Sequence, residues 1–135
     1  MRLFRAGKYG GKIGIVLNAG HSYPTDPNSQ ADKDAAERNY VFMLKWYTEP
    51  LMLGDYPQIL KDRVGSRLPK FTDAEKEMIK ETLDFIAINY YMCHNVSEGD
   101  NSDKGKGYNA DVNITIKDMH DPSWTSKTDM VRVGL

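Results

Sequence analysis

The chain has 135 residues, is 40% hydrophobic and carries a formal net charge of −1, which is enough apolar content for a core and no charge excess suited to nucleic acid or an anionic membrane surface. No apolar run approaches the roughly 20 residues of a membrane span, and the basic stretch from Met1 to Arg5 is not followed by an apolar signal core. The single cysteine, Cys93, excludes an intramolecular disulfide framework and a cysteine zinc cluster.

Gly11 to Asn18 predicts a buried strand, with glycine at its entry, an apolar body and a polar exit at Asn18. His21 to Asn28, with Pro24, Asp26, Pro27 and Asn28, has the composition of a loop. From about Asp32 the spacing becomes helical. Ala36, Tyr40, Met43 and Tyr47 recur on one face, and Phe42 and Trp46 widen it until Pro50 and Gly54 break the pattern. Asp55 is the expected N-cap of a second helix, with Pro57 in its first turn and Gly65 at its end. Thr72-Asp73-Ala74-Glu75 spells a capping box, opening a short helix through Ile79 and Lys80. Glu75, Glu77 and Glu81 belong to this charged region and are expected to be solvated.

Thr82 to Tyr91 predicts a second strand. Phe85, Ile86 and Ile88 show no polar alternation, as expected for a parallel strand covered on both faces. In an α/β barrel, polar residues at the C-terminal end of such a strand face the active-site mouth, which singles out Asn89 and Tyr91. Tyr90 alternates to the other face and is expected to pack against a helix. Cys93 follows directly and reads as a buried, inert thiol. Beyond Asn95, Ser97 to Asn109 is polar and glycine-rich and predicts a loop, with a short hairpin strand at most over Val112 to Ile116. The segment from Pro122 to Leu135 shows no cap or stop. The sequons at Asn95 and Asn113 are tripeptides common by chance and leave the compartment open. Two parallel strands joined through helices make a right-handed βαβ unit, too few strands to close a barrel.

Several segments resemble glycoside hydrolase family 1, the β-glucosidases and their relatives. Thr82 to Tyr91 resembles the family's "DF-x-G-x-N-Y-Y" strand, with Ala87 in place of the usual glycine. Leu3-Phe4-Arg5, Lys8-Tyr9 and Gly11 to Ile15 resemble the approach to its fifth strand. Ala35 to Arg38, Phe42, Trp46, Pro50-Leu51 and Gly54-Asp55-Tyr56-Pro57 resemble its "A-x-R…F…W…P-[IL]…G-D-Y-P" signature, and Arg67 to Thr72 its "RLPxFT" linker. Asp121-Pro122-Ser123-Trp124 is similar to a "DPxW" loop of animal-type members, and Met130 to Val133 to the approach to a "VVPWGFR" segment. The resemblance implies an α/β fold, about two βα units of a (β/α)8 TIM barrel around strands five and six, incomplete by itself. A whole barrel takes about 250 residues. Residues 1–94 would be the βα units and 95–135 a polar loop and truncated tail of one partial domain.

The chemistry implied is retaining hydrolysis of a terminal β-linked sugar, by two carboxylates about 5–5.5 Å apart. It implies no metal or organic cofactor, and a carbohydrate partner rather than nucleic acid or membrane. The family's "T-x-N-E-P" acid/base motif and "T-E-N-G" nucleophile motif do not occur in this sequence. Thr48-Glu49-Pro50 lacks the preceding Asn and falls inside the tryptophan-to-proline signature instead. The expectation is therefore a chain inactive by itself, or alternatively a degenerate, non-catalytic paralogue that binds sugar or a protein partner. By resemblance, Tyr91 would hydrogen-bond the nucleophilic carboxylate and Asn89 would join the polar network around it. Asn18 either lines the aglycone side of the pocket or satisfies loop backbone groups. His21 and His94 are expected to be ordinary loop histidines, and Trp46, Phe42 and Tyr47 to pack helix against barrel. By resemblance, Trp124 would at most approach the sugar entrance from a loop. Sugar specificity, compartment and oligomeric state stay open.

Overall fold

A computed structural model describes residues 10–100 and 105–117. The segments Leu3–Tyr9, Asp121–Trp124 and Met130–Val133 lie outside the described residues. β1 (Gly14–Asn18) and β3 (Phe85–Asn89) pair in parallel, with Gly14 opposite Phe85 and Asn18 opposite Asn89. The pair is clamped at its N-terminal end, where Ile13 N–H donates to the Asp84 carboxylate at 2.7 Å and Asp84 N–H returns a bond to Ile13 O at 2.8 Å. A Cβ at position 14 would lie 2.3 Å from the Phe85 ring, so a larger residue there displaces that half-exposed side chain.

Between the paired strands runs the helical layer. Ser29 caps α1 (Gln30–Tyr40) by accepting from Asp32 N–H. A π-helical turn, Val41–Lys45, then joins α1 to α2 (Trp46–Leu53) without a break. Pro50 was expected to end this helix but lies inside it. A proline ring crowds the carbonyl four residues earlier, here Trp46, and the widened π turn sits immediately before that residue. Termination falls to Gly54, whose φ of 84° is the left-handed conformation that glycine adopts without strain.

α3 (Gln58–Val64) takes Pro57 as its N-cap, so Asp55 is not the cap the sequence suggested. Its carboxylate instead bridges two lysines, Lys61 at 3.0 Å and Lys76 at 2.9 Å. α4 (Asp73–Ile79) carries the predicted capping box in full, with Thr72 and Glu75 bonded reciprocally. Glu75 and Glu77 are exposed on α4, and Glu81 is exposed just after it.

Burial raises the Asp55 pKa, but hydrogen bonds from Lys76, Lys61 and the Tyr56 N–H outweigh it and hold the group at about 2. Because the folded value lies below the unfolded one, the unfolded chain binds the extra proton as acid is added. Stability is therefore full above pH about 4 and falls between about 4 and 2. After discounting for solvent around a partly exposed group, the loss is about 1 kcal/mol. Asp55→Asn should flatten that part of an acid titration followed by circular dichroism.

A second sheet is the main departure from the sequence reading. β2 (His21–Pro24) pairs in parallel with β4 (Cys93–Glu98), which pairs antiparallel with β5 (Ile114–Lys117). The loop expected over His21–Asn28 begins only after Pro24, a proline tolerated because it ends an edge strand. The loop expected over Ser97 to Asn109 yields to β4 through Glu98 and to a one-turn helix α5 (Tyr108–Val112), while β5 falls where a short hairpin strand is expected, over Val112 to Ile116. The core is formed by Val41, Phe42, Leu60, Val64, Leu68 and Val112, with Trp46, Tyr56 and Ile114 packed around it.

Candidate functional site

Parallel pairing brings Asn18 and Asn89 side by side at the C-terminal ends of β1 and β3. Asn89 Nδ2 donates to Asn18 Oδ1 at 2.9 Å, and Ala19 N–H donates to the Asn89 carbonyl at 3.1 Å. Each amide carries a carbonyl acceptor and an amino donor group. The bond between them uses Asn18 Oδ1 and one Asn89 Nδ2 hydrogen, so the Asn89 Oδ1 and the Asn18 Nδ2 take no part in it. Such a pair can orient hydroxyl groups but does not ionise, so it supplies neither a nucleophile nor a proton.

The two asparagines open onto a cavity of about 610 Å³ whose wall includes Val16, Met43, Tyr47 and Tyr108. Tyr108 is the residue that sequence reasoning missed. Its ring stacks on Trp46 (6.4 Å, 13°) and meets Phe42 edge-on at 5.7 Å, and burial pushes its phenol pKa up. The only local signal was an aromatic residue after a glycine-lysine-glycine stretch. Phe42 and Trp46 pack in the core region as expected, while Tyr47 is half exposed on the cavity side.

Tyr91 lies two residues past β3, 59% exposed, and is not part of the cavity wall. Tyr90 departs from expectation. Instead of packing on a helix, its hydroxyl lies 2.7 Å from Cys93 Sγ, because the chain turns straight into β4 and folds the phenol back toward that strand. The contact with Cys93, followed by burial, raises the Tyr90 pKa to about 12. Cys93 itself is buried.

His21 is exposed and edge-on to Tyr23 at 4.4 Å. His94 is half-buried beside a second cavity of about 490 Å³ that shares Met43 and Tyr108 with the first. Among the described residues no three His, Cys, Asp or Glu side chains group as metal ligands. Glu49 lies within α2, away from any strand end.

A family model described as glycosyl hydrolase family 1 matches residues 1–133. The chain belongs to glycosyl hydrolase family 1. Within that family it is 41% identical, over 79% of its length, to a raucaffricine-O-beta-D-glucosidase of Rauvolfia serpentina, and 45% identical, over 62%, to beta-glucosidase 29 of Arabidopsis thaliana. These matches span 20% and 14% of those relatives, so the chain covers about a fifth or less of their length. Its fold superposes on the rice Os3BGlu6 beta-glucosidase with a TM-score of 0.77 at 32% identity, covering 87% of this chain and 26% of that one. An aphid myrosinase gives 0.76 at 31% identity, covering 94% and 29%. As a family member of mixed α/β fold, the chain forms part of a barrel, with β1 and β3 paired in parallel and the helical layer between them in sequence.

Proposed function

We propose that these 135 residues act as part of a retaining β-glucosidase-like hydrolase of terminal β-linked sugars. They form one partial family domain that supplies pocket wall and polar support, not the two reacting carboxylates. The observation that carries this reading is the Asn18–Asn89 amide pair, held at the strand ends where a barrel presents its chemistry. The names of the relatives, glucosidases in plants, support the same substrate class. Tyr91, exposed just beyond β3, would donate its phenolic hydrogen to a nucleophilic carboxylate supplied by another strand, favouring the ionised form.

The test is hydrolysis of a chromogenic aryl β-glucoside by the 135-residue chain, beside the same residues grafted into the rice beta-glucosidase in place of the matching segment. The expected result is turnover by the graft and none by the chain alone. A graft that binds glucoside without hydrolysing it would favour the degenerate paralogue. Turnover by the chain alone would mean that a carboxylate pair on this chain does the chemistry.

A further inference from the structure

A cleft of about 560 Å³ lies between α3, the linker that follows it and α4, within the size range of small-molecule pockets. It is built from residues 55–76, which connect the end of α2 to the N-terminal end of β3. The Asn18–Asn89 pair sits at the opposite, C-terminal end of the strands, so this cleft is separate from the candidate site. Two features of its wall define what it can hold.

The first is a flat aromatic wall. Tyr56 and Phe71 stack at 4.7 Å with 22° between their planes, and Leu68 and Pro69 extend the apolar surface beside them. A third ring laid on such a stack gains offset-stacking energy beyond simple burial. The second is excess positive charge. Three lysines, Lys61, Lys70 and Lys76, line the cleft against one acid, Asp55. Lys61 and Lys76 converge on the same Asp55 oxygen, and among the described residues no carboxylate pairs with Lys70.

We propose that this cleft binds a small planar aromatic anion, its ring against the Tyr56–Phe71 wall and its carboxylate, or an equivalent acidic group, toward Lys70. A neutral sugar leaves the lysine charge unmatched, and a non-aromatic anion leaves the ring wall uncovered. The site is independent of the glycosidase reading, since it uses none of the groups at the strand ends.

Ligand-observed saturation-transfer NMR on the full 135-residue chain tests it with three probes. Benzoate carries both features, benzamide keeps the ring without the charge, and cyclohexanecarboxylate keeps the charge without the flat ring. Benzoate should saturate with a dissociation constant on the order of millimolar, and both comparators should bind several-fold more weakly. Lys70→Gln, at an exposed position, should weaken benzoate by roughly threefold to fivefold, the range of one solvated ion pair. Phe71→Leu should erase the advantage of benzoate over cyclohexanecarboxylate. Lys80→Gln, on an exposed lysine outside the cleft, should change nothing. Failure of benzoate to saturate, equal binding of all three probes, or an equal loss with Lys80→Gln would overturn the proposal.

Discussion

Replacing Arg38 with methionine should release β5 and α5 from α1, at a cost of about 3 kcal/mol. Arg38 is 5% exposed, a burial that a guanidinium tolerates only when its donors are used. Its Nε donates to Val112 O at 2.6 Å, and its Nη2 donates to Asn113 O and to Glu98 Oε2, both at 2.8 Å. Glu98 in turn accepts from Asn113 Nδ2 at 2.8 Å. One side chain on α1 thus ties together β4, the end of α5 and the start of β5. Methionine fills similar volume but leaves two carbonyls and a carboxylate without their donor.

Breaking a buried ion pair from one side costs about 3–5 kcal/mol. The Glu98 side chain keeps 38% of its exposure, so water recovers part of the loss and the lower figure applies. Amide exchange at Ile114 to Lys117 should then accelerate roughly a hundredfold. Arg38→Lys should fall between the two, because an ammonium keeps the charge but cannot span three acceptors in a fixed plane. Unchanged exchange in both variants would mean that pairing with β4 alone holds β5.

The elements legible in the sequence are those whose information is local. β1 and β3 announce themselves as short apolar runs, although Val16, Phe85 and Ile88 are about half exposed or more rather than covered on both faces as expected, and α4 announces itself through a four-residue capping box that the structure reproduces bond for bond. Of the second sheet only β5 is legible, as the short hairpin strand expected over Val112 to Ile116; β2 and β4 are hidden because they are polar, and because Pro24 signals a turn to any local reading although it ends an edge strand. Arg38 enters the sequence reading only as the arginine of the family signature, with no structural role attached to it. Its partners lie 60 to 75 residues away, and no periodicity encodes them.

The same division holds at the candidate site. Asn18 and Asn89 were each singled out by position at a strand end, yet the bond that makes them a pair spans 71 residues and follows only from the parallel register. Tyr108 escaped notice because its place in the wall depends on α5, a five-residue helix inside a polar stretch. The Tyr90 phenol was misplaced for a related reason. Alternation along a strand assumes the strand continues, and here β3 ends at Asn89, one residue before it.

Phe42→Ala should be the second severe change, costing about 3–5 kcal/mol through lost burial and the cavity left behind. Phe42 is 1% exposed at the centre of the cluster formed by Val41, Leu60, Val64, Leu68 and Val112. It also meets two rings edge-on, Trp46 and Tyr108, each at 5.7 Å. Those two rings stack on each other, so the three aromatics are in mutual contact and Phe42 sets where Tyr108 can stand. Removing Phe42 should therefore loosen the wall of the Asn18–Asn89 cavity as well as the core. Tyr108→Ala alone, at a half-exposed ring, should cost only about 1 kcal/mol. If the rings act as one unit, the double variant should lose less than the sum of the singles, by about 0.5–1.5 kcal/mol. Near-ultraviolet circular dichroism of the aromatic side chains and native-state amide exchange would read both the cost and the coupling. Strictly additive losses would mean that Tyr108 is held by its own backbone, and that the cavity wall does not depend on the core beneath it.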